Sequence, residues 1–462
     1  MTVETRDYVV KKLQGDMLTP ISIFSALQGD KKVLCESNAK YDESGRYSFI
    51  AASPIAELKG NQFDTYFRDE HGNEHELKIP VLEKLKEVLP MRKGDYPFAF
   101  FGGAIGYFGY ETAYHFENIG DVVNDVYHMP DVHVFFYDTF IVIDHLLQTV
   151  TIAAIDLFQT GRTVEAMEQA IAQFEAEISQ GAGQQEIDTQ AVAFQPTIAK
   201  ERFIEMVEIA KEHIRNGDIF QVVLSQTFES NFSGNPFALY RKLRTTNPSP
   251  YMFYVEFGDY TILGTSPESL VKVQDGVVTT NPIAGTKPRG KTEVEDIALA
   301  DELINDPKEI AEHKMLVDLG RNDVGRVAKI GSVKVSQYMK IERYKYVMHI
   351  VSEVVGDLRE DAHVVDVLAS SLPAGTVSGA PKIRAMQIIN RLESKKRGVY
   401  AGALGYISTT GNMDLALAIR TMVVKDGKAY VQAGAGIVYD SVPESEYEET
   451  LNKARALLEV RR

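Results

Sequence analysis

Residues 415 to 438, LALAIRTMVVKDGKAYVQAGAGIV, form two apolar runs around Lys425-Asp426-Gly427-Lys428. Asp-Gly at the centre of a two-residue connection is what a type I′ turn prefers, because both central residues need positive φ. The stretch predicts two antiparallel strands with Lys425 opposite Lys428, and hence Arg420 opposite Ala433. That register puts an arginine of an otherwise apolar strand beside Gly434-Ala435-Gly436, where a ligand could approach bare backbone. A planar guanidinium fork next to exposed amides suits a carboxylate. An arginine ion-paired with a structural carboxylate, its glycines marking a bulge, would give the same pattern.

Strand-like runs recur upstream, as in VFFYDTFIVIDH (134 to 145), and give way to a helical pattern near 162 to 178. SQGAGQQEIDTQAVAFQPT (179 to 197) has neither period and reads as a linker. From 198 an amphipathic helix resumes, with Phe203, Val207, Ala210 and Ile214 on one face and Gly217 as its stop. The chain is thus expected to be α/β, with an N-terminal region 1 to 178, a linker 179 to 197 and a larger region 198 to 462. With 44% hydrophobic and 25% charged residues over 462 positions, it can bury a substantial core. The net charge of −16, with Lys and Arg scattered, argues against nucleic acid or an anionic membrane as partner. An anionic substrate would need positive charge supplied locally. A single cysteine, Cys35, excludes an internal disulfide framework. MTVETRDYVVKKLQGD lacks the regions of a signal peptide, and no run of eighteen apolar residues occurs, so a soluble cytoplasmic protein is expected.

Two helices carry paired acids. PKEIAEHKMLVDLGRNDVGRV (307 to 327) opens with Pro307 after Asp306 and sets Glu309 and Glu312 on one face. DSVPESEYEETLNKARALLEV (440 to 460), with Ser441 near the cap and Pro443 in the first turn, repeats the spacing with Glu446 and Glu449. If the faces converged they would suit Mg²⁺, which is held by few carboxylates and keeps its waters. Acids in first turns also simply complement helix dipoles, and nothing in the spacing forces the helices together. Between them, SLPAGTVSGAPKIRAMQIINRLES (371 to 394) reads as a Gly-rich loop feeding a helix with a core face of Ile383, Met386, Ile389 and Leu392. PIAGTKPRG (282 to 290) reads as a rigid loop built to touch a ligand, with Ala284 at its centre. His349 stands between Met348 and Ile350, a setting in which a histidine is usually a satisfied core residue.

QVVLSQ (221 to 226), NPSPYMFY (247 to 254), TSPESL (265 to 270), PIAGTKPRG, AEHKMLVDLGRND (311 to 323), YKYVMHIVSEV (344 to 354), LPAGTVSGAPKIRAM (372 to 386) and VQAGAGIVYDSVPESE (431 to 446) occur in this order. Together they resemble the chorismate-utilising enzymes, and within that family its anthranilate synthase component I branch. A fainter match covers the N-terminal region. The resemblance implies a large α/β (α+β) sandwich of two antiparallel sheets with helices outside, the N-terminal region packing as part of the assembly. It implies chorismate as substrate, contacted by Gly285, Thr286, Tyr400, Arg420, Gly434, Ala435 and Gly436, with Lys382 nearby. Mg²⁺ would be held by Glu312 and Glu449, with Glu309 and Glu446 as outer or additional ligands. Glu268 would assist departure of the C4 hydroxyl, which requires a neutral carboxyl and a raised pKa. His349 would take part in the proton transfer of pyruvate elimination, and Thr376 matches a site residue.

The same resemblance separates reactions. Isochorismate and salicylate synthases activate water with a lysine where this chain has Gln221, and glutamine has no titratable group. Many aminodeoxychorismate synthases carry a nucleophilic lysine where this chain has Ala284. What remains is attack of ammonia on C2, giving 2-amino-2-deoxyisochorismate and then anthranilate with loss of pyruvate. The resemblance implies a separate glutamine amidotransferase subunit, component II, supplying ammonia in a heterotetramer of two large and two small subunits, and Cys35, in a strand-like context without a Gly-rich elbow, is no plausible glutaminase nucleophile. Ser37, Pro250, Tyr251 and Met252 match an inhibitor-binding motif for tryptophan, with Cys35 where leucine is usual. The absence of tryptophan from the chain would suit an enzyme translated during tryptophan starvation. The alternatives are a lysine-free aminodeoxychorismate synthase component I and a non-catalytic tryptophan-binding regulator of the same fold.

Overall fold

Every residue of Val132–Tyr137 and of Thr139–Asp144 is buried, so both faces of these strands pack against protein. The sequence runs through as one apolar stretch, yet the two strands belong to different sheets and the chain changes sheet at Asp138. The computed structural model describes residues 7–37, 46–121, 124–181, 193–344 and 347–458. Among these the strands form two 12-stranded sheets, and every ladder is antiparallel.

In the first sheet, Val33–Ser37 of the N-terminal region pairs with Tyr251–Glu256 of the C-terminal region. In the second, Gly103–Phe108 pairs with Ala403–Ser408. The two regions read from the sequence therefore share both sheets and one core. Alternation of side chains along the strands divides that core. Val33, Phe49 and Ala51 join Phe100, Val271 and Leu404 in one cluster, whereas Leu34 and Ile50 face the other way and pack with Ile23, Met167 and Ile171 of the helices Pro20–Ala26 and Val164–Gln180. This is the sandwich with outer helices that the resemblance implies. Most of the proposed linker, residues 182–192, lies outside the described residues. Its first two positions belong to the helix Val164–Gln180, and Gln195–Pro196 pairs with the strand Gln221–Asn231.

The Asp-Gly hairpin holds the expected register, Lys425 opposite Lys428, with positive φ at Asp426 and Gly427. Its first strand does not. Met413–Leu417 lies in the second sheet and Thr421–Lys425 in the first, so the apolar run changes sheet over residues 418 to 420. Arg420 is no strand residue but the corner of this crossing, with φ 49°. A second crossing runs beside it. Tyr260–Ser266 is in the first sheet and Ser269–Gln274 in the second, with Pro267 and Glu268 between. Leu417 N–H donates to Glu268 O at 2.9 Å, Ser266 Oγ to Leu417 O at 2.6 Å and Thr265 N–H to Arg420 O at 3.1 Å, which ties the two corners together.

Candidate active site

The paired crossings bring a carboxyl, Glu268, and a guanidinium, Arg420, close enough to feel each other's charge. Thr376, in the short 3₁₀ turn Gly375–Val377, donates Oγ1 to Glu268 Oε1 at 2.8 Å. Burial pushes the Glu268 carboxyl up to about 7, against the opposing pull of Thr376, Lys453 and Arg420. A carboxyl that keeps its proton near neutrality can act as an acid. Arg420 opens to solvent in the cleft, and crowding by protein still lowers its pKa by desolvation. Its guanidinium makes no hydrogen bond or ion pair among the described residues, so the structural-carboxylate reading of this arginine fails and its fork is available to a ligand.

PIAGTKPRG is not a loop. Ile283–Pro288 is a strand paired with Val347–Asp357, and Gly285 (φ 68°) is bulged out between Ala284, opposite Ile350, and Thr286, opposite His349. Glycine suits this position because the bulge needs positive φ, and a Cβ would also stand 3.0 Å from Glu309 Oε2. The bulge turns Gly285 O toward His349 Nδ1, 2.8 Å away. A carbonyl only accepts, so Nδ1 carries the proton and Nε2 keeps its lone pair. Burial lowers the His349 pKa, which keeps the ring neutral and fit to accept a proton. His349 is thus not merely a satisfied core residue. Ala284 is buried in the same strand.

The glycine strand forms the opposite wall. Lys428–Ile437 pairs with Gln221–Asn231 in regular register, Ser225 opposite Gly434 and Val223 opposite Gly436, so the glycines mark no bulge. They mark close approach: a Cβ would meet Tyr400 Oη at 2.7 Å from Gly434 and Gln221 Nε2 at 2.9 Å from Gly436. Gln221 Nε2 donates to Glu312 Oε1 at 3.4 Å, and its buried Oε1 has no partner among the described residues.

Both acidic helices form as expected, Pro307–Gly325 capped by Asp306 and Pro443–Leu458. Burial, then the neighbouring Glu312 and Asp306, raises the Glu309 pKa; burial, then Glu449, raises that of Glu446 despite a bond from Ser441. Glu449 is paired with Lys453 at 2.6 Å, and Lys453 also donates to Gly434 O at 3.1 Å. Among the described residues no group of three potential ligands forms a ready-made metal cage. Repelling pairs of hard oxygen donors nonetheless fit a divalent cation that keeps its waters and takes oxygens from a substrate. Lys382 departs from expectation. Its Nζ is bound to Asp323 Oδ2 at 2.7 Å and Ser371 O at 3.4 Å, which commits its charge to a carboxylate behind the Glu268 wall.

Sequence reading missed a buried clamp. In SKKRGVY a basic run looks solvated, yet Arg397 is 3% exposed. Its guanidinium binds both oxygens of Glu393 at 2.6 and 2.8 Å and donates to Val223 O and Val377 O, while Glu111 accepts from the backbone N–H groups of Arg397 and Gly398. One side chain thereby fixes the Gln221 strand and the Thr376 turn, and its Cζ lies 5.5 Å from the Tyr400 ring centroid. The apolar GVYAG that follows was the available signal that the run turns inward.

A separate cavity of about 960 Å³ lies between the sheets, lined among others by Cys35, Glu36, Ser37, Tyr251, Met252 and Asp414. Tyr251 Oη donates to Asp414 Oδ1 at 2.9 Å. Pro250, just before the strand Tyr251–Glu256, is not part of this lining. Burial pushes the Cys35 thiol up to about 12, so it lines the cavity as a small neutral group.

The model of the chorismate binding enzyme family matches residues 31–459. The chain is 46% identical over 452 residues to anthranilate synthase component 1 of Lactococcus lactis subsp. lactis, covering 98% of this chain and 99% of that protein. It is 45% identical to the protein of the same name from Aquifex aeolicus, covering 97% and 93%. In structure it resembles anthranilate synthase component I of Streptococcus pneumoniae, with TM-score 0.84, 45% identity and coverage of 97% and 98%. The menaquinone-specific isochorismate synthase of Escherichia coli, at 20% identity and TM-score 0.71, shares the fold.

Proposed function

Because the chain belongs to the chorismate binding enzyme family, we propose that it is the chorismate-aminating component of an anthranilate synthase. The reading is carried by Gln221 and Ala284, which the resemblance sets at positions where other members use a lysine to activate water or to attack C2, and neither of these side chains can do either. Ammonia needs no lysine. The unpartnered Gln221 Oε1 supports the reading, since it offers an acceptor for an ammonia N–H and leaves the nitrogen lone pair free.

Arg420 and the backbone of Gly434 to Gly436 and Gly285-Thr286 would hold the substrate carboxylates. Glu268 donates its proton to the C4 oxygen, which leaves as water while ammonia bonds to C2. His349 Nε2 then accepts the C2 proton as the enolpyruvyl C–O bond breaks, and the ring becomes aromatic. Mg²⁺ bound to Glu312 and Glu449, with Glu309 and Glu446 beside them, would neutralise the two acidic helix faces and the ring carboxylate. Ammonia would come from a glutamine amidotransferase subunit, component II. The cavity at Ser37, Tyr251 and Met252 is large enough for a tryptophan feedback inhibitor.

Chorismate, Mg²⁺ and an ammonium salt at alkaline pH test the proposal. Fluorescent anthranilate should form without any added lyase. Accumulating aminodeoxychorismate would replace this reading with the runner-up, and absence of turnover would favour a tryptophan-binding regulator.

A further inference from the structure

Glu268 also lines a small cavity to which Arg420 does not contribute. The cavity, of about 50 Å³, sets Glu268, Thr376, Thr280, Asp323 and Ser371 among apolar neighbours such as Leu316 and Leu319. A water needs roughly 10–15 Å³ of such space and two to four polar partners. The partners are present. Thr280 and Ser371 are 8% and 3% exposed, and the hydroxyl of each has no partner among the described residues. A buried hydroxyl without a partner loses its hydration with no compensating bond, so two on one cavity wall favour a small polar occupant. Lys382 holds Oδ2 of Asp323, which leaves Oδ1 as an acceptor. Gly320 adds the room, since a Cβ there would stand 3.1 Å from Thr280 Oγ1.

We infer that this chamber is a water site through which Glu268 regains its proton after each turnover. The inference rests on the reading of Glu268 as the acid. When the carboxyl gives its proton to the C4 oxygen and the C4–O bond breaks, one water is formed and a carboxylate remains. The nitrogen bonded to C2 carries one excess proton and releases it to solvent. Chamber water gives a proton to Glu268 and takes one from the next water or hydroxyl, so one proton enters for each one released. Thr376 holds Oε1 of the carboxylate, and Arg420 and Lys453 are the charges that act on it. The hydroxyls of Thr280 and Ser371 orient the donor water, and the Asp323–Lys382 pair closes the far wall.

Thr280→Val and Ser371→Ala test the site, because each deletes an unpartnered hydroxyl and breaks no hydrogen bond within the chain. With chorismate, Mg²⁺ and ammonium, each variant should keep its melting temperature and its KM for chorismate, while kcat falls roughly tenfold, the low end for a proton-transfer contribution. The solvent deuterium isotope effect on kcat should rise as reprotonation becomes limiting. Gly320→Ala, which crowds the chamber, should act in the same direction. An unchanged kcat and isotope effect overturns the inference, and so does a loss of kcat that only tracks a lower melting temperature. Glu268→Gln separates the two layers. If it turns over normally, Glu268 is not the acid; if it is inactive while the hydroxyl variants behave like the unaltered protein, the water site alone is wrong.

Discussion

Replacing Glu268 with glutamine should inactivate the protein and make it more stable, by an amount that depends on pH. Burial raises the carboxyl from 4.5 to about 7, so the folded chain holds this proton more tightly than the unfolded chain does. The stability contributed by the group is therefore fully present below about pH 4.5 and is lost as pH rises through about 7. At about 1.36 kcal/mol per unit, the loss amounts to about 3 kcal/mol at pH 8 and under about 1 kcal/mol at pH 5. Glutamine does not titrate, matches the neutral carboxyl in shape and keeps an oxygen for the Thr376 hydroxyl. Urea unfolding of both proteins at pH 5 and pH 8 measures the difference. Glu268→Gln should gain about 2 kcal/mol more at pH 8 than at pH 5. An equal change at the two pH values would refute the buried-acid argument, whatever the variant does to turnover.

Thr376→Val removes a donor that favours the ionised carboxylate, so the Glu268 pKa should rise and the limb on which activity falls with increasing pH should move upward. A hydrogen bond to a charged group is worth about 1.5–3 kcal/mol, which makes the move about one to two pH units in kcat/KM measured at fixed free ammonia. Glu449→Gln should depress Mg²⁺-dependent turnover and weaken the Mg²⁺ dependence without lowering the melting temperature; unchanged turnover would remove Glu449 from the metal site. Ala284→Lys should slow anthranilate formation or redirect the product, read by chromatography of the reaction. If it does neither, the alanine only fills space.

The hairpin register at Lys425 and Lys428 was legible because Asp-Gly dictates a local turn, and the E-x-x-E faces were legible because helical spacing is local too. The sheet crossings were not. A strand buried on both faces reads as an unbroken apolar run, and the run continues unchanged when the chain passes from one sheet to the other at Asp138 or at residues 418 to 420. PIAGTKPRG misread as a loop for a related reason: its glycine marks a bulge inside a strand, and sequence does not separate a bulge from a turn. Lys382 and Arg397 show the remaining limit. Lys382 is committed to Asp323, 59 residues away, and Arg397 to Glu393, four residues before it, whose carboxylate is fixed in turn by Ser225 of the Gln221 strand.

The sharing of both sheets by the two halves has a cost in time during synthesis. The edge of Val33–Ser37 waits for Tyr251–Glu256, and that of Gly103–Phe108 waits for Ala403–Ser408. At about 5–20 residues per second on the ribosome, these waits last roughly 10–60 s. Throughout that interval Val33–Ser37 and Gly103–Phe108, paired on one side with Tyr47–Ala51 and Val132–Tyr137, each present one open edge, which is the condition under which edges pair with the wrong chain. The long-range strand pairs that join the two halves thus make the nascent N-terminal half a client for chaperones, and ribosome-bound chains stalled before residue 250 should aggregate once released.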